Sequence, residues 1–187
     1  VFEELLSRIG TYLPKHALSY MIIGGQAVLL YGEPRMTRDI DVTLGLNTDR
    51  LGDLLGAVRE LALKPLPDDM ESFVKETMVL PTLDENSGIR VDFIFSFKPY
   101  EKEAIKRARK VKILGQEVNF ASPEDLLIHK IFAGRPRDLE DVRSILQKNP
   151  DLDARYIRNW LQQFAEPSEG KNFLKTFEDL LNECAQT

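Results

Sequence analysis

Two aspartates alternate with two branched apolar residues in Asp39-Ile40-Asp41-Val42, and thirteen residues separate them from a glycine pair, Gly24-Gly25, that ends the apolar run Tyr20-Met21-Ile22-Ile23. The alternation predicts a strand with one polar and one buried face. Asp39 and Asp41 then point the same way, roughly 6–7 Å apart at ~3.3 Å rise per residue. Two carboxylates on one face repel each other, and packing does not ask for that. A divalent cation between them removes the cost, and hard oxygen ligands suit Mg2+ or Mn2+. The bland alternative is a solvated strand edge carrying surface aspartates.

The glycine pair supplies a second element. A strand that ends in Gly-Gly before a helix-like run, Gln26 to Tyr31, lets the backbone approach an anion closely. A helix N-terminus there presents free N–H groups and the positive end of its dipole. The competing reading of Gly24 and Gly25 is a plain tight turn. A phosphate cradle beside paired carboxylates is what transfer chemistry on a metal-bound triphosphate requires. The chain has neither Gly-x-x-x-x-Gly-Lys nor Gly-x-Gly-x-x-Gly, so P-loop and dinucleotide-fold readings have no support.

An apolar residue, Gly-Gly, a spacer and Asp-apolar-Asp-apolar together resemble the signature of the DNA polymerase β-like nucleotidyltransferase superfamily. That family carries a third carboxylate on a later strand as apolar-Asp-apolar, which Val91-Asp92-Phe93 fits. Within the superfamily, Arg35-x-Thr37-x-Asp39-Ile40-Asp41, Lys130 and Arg137-Asp138 look like the AbiEii/MenT-type bacterial toxin group. The core motif spans residues 22–42 and 91–93, and a looser likeness runs to about residue 146. The resemblance implies an α/β (α+β) nucleotidyltransferase fold, with a mixed β-sheet flanked by helices and a C-terminal helical bundle. Asp39, Asp41 and Asp92 become metal ligands and catalytic residues, with Asp92 also a candidate general base. One metal would be held by all three carboxylates, and a second would travel with an NTP such as ATP. The implied reaction moves NMP from the NTP to an acceptor hydroxyl on a tRNA 3′ end, a protein or a small molecule. A cognate antitoxin is an implied partner. The rivals are a kinase-type toxin using the same carboxylates and a catalytically idle binding module.

Further residues follow from position. Arg35, Thr37 and Arg38 precede the carboxylate strand and are candidate triphosphate or substrate contacts; exposed loop arginines are otherwise solvated. Lys130 falls between Leu126 and Leu127 on a helical wheel, and Asp138 between Val142 and Ile145. A lysine so flanked must snorkel outward or meet an anion. Either the two residues form a structural ion pair, or Lys130 reaches the triphosphate, as the resemblance implies, with Asp138 orienting it. The cationic run Lys102 to Lys112 is a solvated face or a docking site for RNA phosphates. His16 and His129 have no metal-ligand spacing and read as structural.

Composition sets the bounds. Hydrophobic content of 43% with 29% charged residues over 187 positions suits a globular chain with an adequate core. A net charge of −5 argues against a broadly basic nucleic-acid surface. The single cysteine, Cys184, cannot form an internal disulfide, which points to a reducing cytoplasm. No run reaches the ~18 apolar residues of a membrane span, and no signal peptide is visible. The chain starts at Val1 rather than Met, so further residues are expected upstream.

The periodicities predict a helix over 2–13 closed by Pro14, strands over 18–23 and 39–45, and helices over 25–32 and 48–63. They also predict a loop at Pro65–Asp69, a strand from Phe73 to Leu80, and a strand over 89–97 that carries Asp92 towards Asp39 and Asp41. A helix over 99–109 and a hairpin around Gly115-Gln116 follow. Beyond Ser122-Pro123-Glu124-Asp125, a good helix start, only helices are expected, with a break at Pro167–Gly170 and a last helix over 171–184. The implied division is a core over 1–120 and a helical bundle over 121–187.

Overall fold

The computed structural model describes residues 1–164 and 172–185; the predicted break at Pro167–Gly170 lies outside them. Contacts divide the chain into two compact units, one of residues 1–26 and 36–121, the other of residues 27–35 and 122–187.

The first unit holds a seven-stranded mixed sheet. Its strands are β1 (Tyr20–Ile23), β2 (Asp39–Leu44), β3 (Lys64–Pro65), β4 (Val79–Asp84), β5 (Ile89–Phe95), β6 (Arg109–Ile113) and β7 (Gln116–Phe120), in the order β3-β4-β5-β2-β1-β7-β6. β2 runs antiparallel to β1 but parallel to β5, and β5 is antiparallel to β4. The predicted α/β class and mixed sheet are what the chain adopts.

Helix α1 (Phe2–Lys15) buries Leu5, Leu6, Ile9 and Leu13 along one stripe. It runs through Pro14 into its last turn. Pro14 has no N–H to give the Gly10 carbonyl, and the Gln116 side-chain amide donates to that oxygen instead, at 3.3 Å. Helix α2 spans Gly24–Tyr31 and α3 spans Leu51–Glu60, the latter after a 3-10 turn at Thr48–Arg50.

The stretch predicted as a strand from Phe73 is a helix, α4 (Met70–Thr77), and the strand begins only at Val79. Asp69, read as part of an acidic loop, is its N-cap, accepting from the Ser72 N–H at 3.1 Å. The helix ends at Met78 in the left-handed region, φ +61°. Neither feature is conspicuous in sequence, because Val74 alone is buried on this helix and no glycine closes it. Helix α5 (Pro99–Lys106) and edge strand β6 carry the cationic run; Lys110 on β6 pairs with Glu117 at 2.9 Å. Exposed lysines on an edge strand also discourage pairing with a foreign strand.

The second unit is built on α6 (Pro123–Ala133), with α7 (Pro136–Lys148), α8 (Ala154–Gln163) and α9 (Phe173–Ala185) packed around it. α6 is buried along most of its length, including Glu124, Asp125 and Lys130. Its start is the cap expected at Ser122: the hydroxyl accepts from the Asp125 N–H at 3.1 Å and donates to the Asp125 carboxylate at 2.6 Å. Tyr156 on α8 donates to the other carboxylate oxygen at 2.8 Å. Among the described residues no helix is long and apolar enough to cross a membrane.

Ser122→Ala removes a cap and one of the donors that keep Asp125 satisfied in the interior. The expected cost is about 1–3 kcal/mol, read as a lower urea midpoint with unchanged slope. A wild-type midpoint would show that the cap contributes nothing.

Candidate functional site

The pleat places the acidic residues. Along β2, Ile40, Val42 and Leu44 are fully buried while Asp39 and Asp41 are not, and along β5, Val91 and Phe93 are fully buried while Arg90 is exposed and Asp92 half-buried. The parallel register sets Asp39 beside Arg90 and Asp41 beside Asp92. Neighbours in a parallel ladder share a face at about 4.8 Å. Asp39, Asp41, Asp92 and Arg90 therefore stand together on one face, as was expected for the carboxylates and not noticed for Arg90. The Arg-apolar-Asp spacing on a strand was the signal that could have found it.

Each carboxylate has a close neighbour. The Thr37 hydroxyl lies 3.2 Å from Asp39 Oδ1 and the same distance from the Asp39 carbonyl oxygen. Arg90 Nε donates to Asp92 Oδ1 at 2.7 Å. Gly24 has φ +65°, and a Cβ there would overlap the Asp41 carboxylate. A Cβ at Gly25 would stand 2.6 Å from the Thr37 hydroxyl. Both glycines are thus required by the close approach of side chains on the acidic face. Gly24 is also required by its backbone conformation.

The Arg90 guanidinium is held above its ordinary range, first by its hydrogen bond to Asp92, against a smaller opposing effect of burial, and further by the charges of Asp92, Asp39 and Asp41. All three carboxylates are close enough for their fields to act on one cation. Among the described residues no three His, Cys, Asp or Glu side chains are already gathered to hold a metal. Three carboxylates on one face, Asp41 paired in register with Asp92 and Asp39 with Arg90, are nevertheless donors of the kind a hard cation would take.

The remaining candidates lie in the second unit, apart from Arg38, which is exposed beside Asp39. Lys130 Nζ is 2.8 Å from both Asp138 Oδ1 and Asp141 Oδ2, and all three side chains are at most 7% exposed. Arg35 makes a two-pronged pair with Asp141 at 2.9 and 3.0 Å, and Arg135 Nε reaches Asp138 at 2.6 Å. The Lys130–Asp138 pair is one edge of a five-residue network. Sequence reading missed Asp141. Its i, i+3 spacing from Asp138 on one helix face was the available signal, but its partner Arg35 is 106 positions away.

The sequence matches, over residues 1–159, the family described as nucleotidyltransferase of unknown function (DUF6036), and the chain belongs to it. No curated protein matches the sequence. Several solved structures share the fold, among them the following three. An antigenic nucleotidyltransferase-like protein from Paracoccidioides brasiliensis is 17% identical, with TM-score 0.63 over 98% of this chain and 88% of its own. The antibiotic-resistance factor ANT(2'')-Ia is 17% identical, with TM-score 0.56 over 98% of this chain and 95% of its own. The lincosamide antibiotic adenylyltransferase LnuA, solved with lincomycin, is 14% identical, with TM-score 0.52 over 76% of this chain and 94% of its own.

Two outcomes test the buried network. Lys130→Ala strands two carboxylates and should cost about 3–5 kcal/mol. Lys130→Leu with Asp138→Leu should recover part of that, since Asp141 keeps Arg35; a single variant with the wild-type urea midpoint would contradict the pairing.

The second concerns pH. Burial raises the Asp138 carboxyl, but the hydrogen bonds and charges of Arg135 and Lys130 outweigh it and leave the group below its ordinary value. A lowered folded-state value stabilises above the unfolded value, ~3.9, and this is lost as pH falls through the folded one. The stability gap between wild type and Asp138→Asn should be constant near neutrality and narrow below about pH 4. Urea midpoints at pH 7, 4 and 3 measure it, and a gap that does not narrow counts against the assignment.

Proposed function

We propose that this protein transfers NMP from an NTP to an acceptor hydroxyl, using Asp39, Asp41 and Asp92 with a divalent ion. The supporting observation is the register that sets three carboxylates on one sheet face beside Gly24-Gly25. In this reading the acceptor oxygen attacks the α-phosphorus, the bond to pyrophosphate breaks, and Asp92 accepts the hydroxyl proton. Mg2+ or Mn2+ bound by these carboxylates supplies charge neutralisation for the triphosphate and makes the acceptor hydroxyl more acidic. Asp39 and Asp41 hold their orientation through β2. Thr37 steadies Asp39, and Gly24 and Gly25 let backbone N–H groups come near phosphate oxygens. Arg38, exposed next to Asp39, is a triphosphate contact in this reading. Lys130, Asp138 and Arg35 act on nucleotide only if their ion pairs open, so we assign them first to the network.

The acceptor belongs to one of three classes. Small-molecule hydroxyls are suggested by one neighbour named as a lincosamide antibiotic adenylyltransferase and another solved with adenylyl-2''-tobramycin. RNA is suggested by the cationic residues of α5 and β6. Protein hydroxyls, with a toxin role and a cognate antitoxin, rest on Arg35-x-Thr37-x-Asp39-Ile40-Asp41. A reducing, cytoplasmic setting is consistent with the single cysteine.

The test incubates the protein with each NTP labelled at the α- or the γ-phosphate, Mg2+, and lysate fractions of RNA, protein and small molecules. Label should pass from the α-position only, into one fraction, and Asp41→Asn should abolish transfer while leaving the apo protein at least as stable. Transfer from the γ-position would establish the kinase reading instead. No label, with no rise in melting temperature on adding NTP and Mg2+, would overturn the transfer reading and favour the idle module, because a ligand at a hundredfold excess over Kd stabilises by about 2.7 kcal/mol.

A further inference from the structure

Gln26 carries the first side chain of α2, because the two residues before it in that helix are Gly24 and Gly25. A helical side chain leans back over the turn that precedes it, so Gln26 lies over the glycine turn. That turn is packed against the acidic face: a Cβ at Gly24 would overlap the Asp41 carboxylate, and one at Gly25 would meet the Thr37 hydroxyl. Gln26, both glycines, Thr37 and the three carboxylates all belong to the first unit.

The burial of Gln26 is not what the pattern of its helix asks for. On a wheel it falls between Leu29 and Leu30, which are 40% and 42% exposed, while Ala27, Val28 and Tyr31 form the buried stripe. Gln26 is nevertheless only 6% exposed, and its Nε2 is a buried donor that has no hydrogen-bond partner among the described residues. A glutamine at the third position of a helix caps it by accepting through Oε1, and that use leaves both hydrogens of Nε2 unspent. A buried N–H without an acceptor is a standing cost. Here that cost is borne at the N-terminus of a helix, where backbone N–H groups also lack intrahelical acceptors and the dipole is positive. Donors gathered in this way suit a group that only accepts and has several oxygens, which is a phosphate.

We infer that Gln26 is a further binding residue for the triphosphate, its side-chain N–H donating to a non-bridging phosphate oxygen alongside the backbone of the glycine turn. This role rests on the nucleotide reading of the site. It is one that Gly24 and Gly25 cannot fill. Their N–H groups are fixed by the backbone, whereas the Gln26 amide turns about its own side-chain bonds to follow the oxygen. The amide is neutral, so it holds the anion without cancelling its charge and leaves that to the divalent ion and Arg38.

The test uses the full chain, with inorganic tripolyphosphate and Mg2+ as the probe, because tripolyphosphate carries the phosphates without base or sugar. Gln26→Met has like length and no amide. It should bind the probe about tenfold more weakly, the lower end of what a hydrogen bond to a charged group contributes. Its urea midpoint without ligand should equal or exceed the wild-type value, since an unpaired buried amide gives way to an apolar side chain. Gln26→Glu keeps an acceptor and loses the donor, and should bind more weakly still. In the wild type the Gln26 side-chain amide resonances, assigned by their loss in Gln26→Met, should shift with the midpoint of binding. Wild-type affinity in Gln26→Met, or resonances that stay in place while the probe binds, would overturn the role of Gln26 and leave the nucleotide reading standing. A lowered midpoint in Gln26→Met would make the residue structural, and tighter binding by Gln26→Glu would show that the amide meets the ligand through its oxygen; either overturns the donor role. If the wild type binds neither tripolyphosphate nor any of the four NTPs with Mg2+, the nucleotide reading itself fails and takes this one with it.

Discussion

The parallel pairing of β2 with β5 is the constraint on which the acidic face depends. Ile40, Val42, Val91 and Phe93 are fully buried on one side of these strands, and their burial fixes the register. A slip of one residue would put Asp39, Asp41 and Asp92 into the core and the apolar residues into water. At roughly 25 cal/mol per Å2 of apolar area, with each buried Val, Ile or Phe contributing about 1.5–3 kcal/mol, that alternative is excluded. The apolar side of the sheet thus holds mutually repelling charges in place.

The alternation of β2 and the apolar-Asp-apolar pattern of β5 were legible because strand period and burial agree there. The capped start of α6 was legible for the same kind of reason, a local motif whose partners lie within three residues. What was not legible depends on pairing across the chain. The Arg-apolar-Asp spacing hints that Arg90 shares a face with Asp92, but its place beside Asp39 emerges only when β5 is laid beside β2. The clamp of Arg35 by Asp141 joins positions 106 apart, and only the fold brings them together. Helix α4 failed for a different reason. Its amphipathic stripe is too thin, and its end is a left-handed Met78, a conformation that sequence rules assign to glycine or asparagine.

The chain keeps two clusters of opposed charge, and their balance differs. The network of Lys130, Asp138, Asp141, Arg35 and Arg135 is largely buried, with its two carboxylates each shared between two cations at hydrogen-bonding distance. Burial on that scale demands saturation, because an unpaired ion in the interior costs several kcal/mol. The acidic face is partly exposed, and its ladder sets Asp39, Asp41 and Asp92 on one side of the sheet with Arg90. Like charges so placed are tolerated beside water where a core would not tolerate them. Carboxylates gathered on one partly solvated, rigidly registered face are the donors a hard cation takes. A saturated buried network offers a ligand nothing unless it first breaks a bond. On these grounds we place the proposed chemistry at Asp39, Asp41 and Asp92 and assign Lys130 first to holding the helices of its own unit together. The same comparison explains why Asp92 and Asp138, each bonded to an arginine, are given different roles: Asp138 is buried between two cations, whereas Asp92 is partly exposed on a face it shares with two further carboxylates.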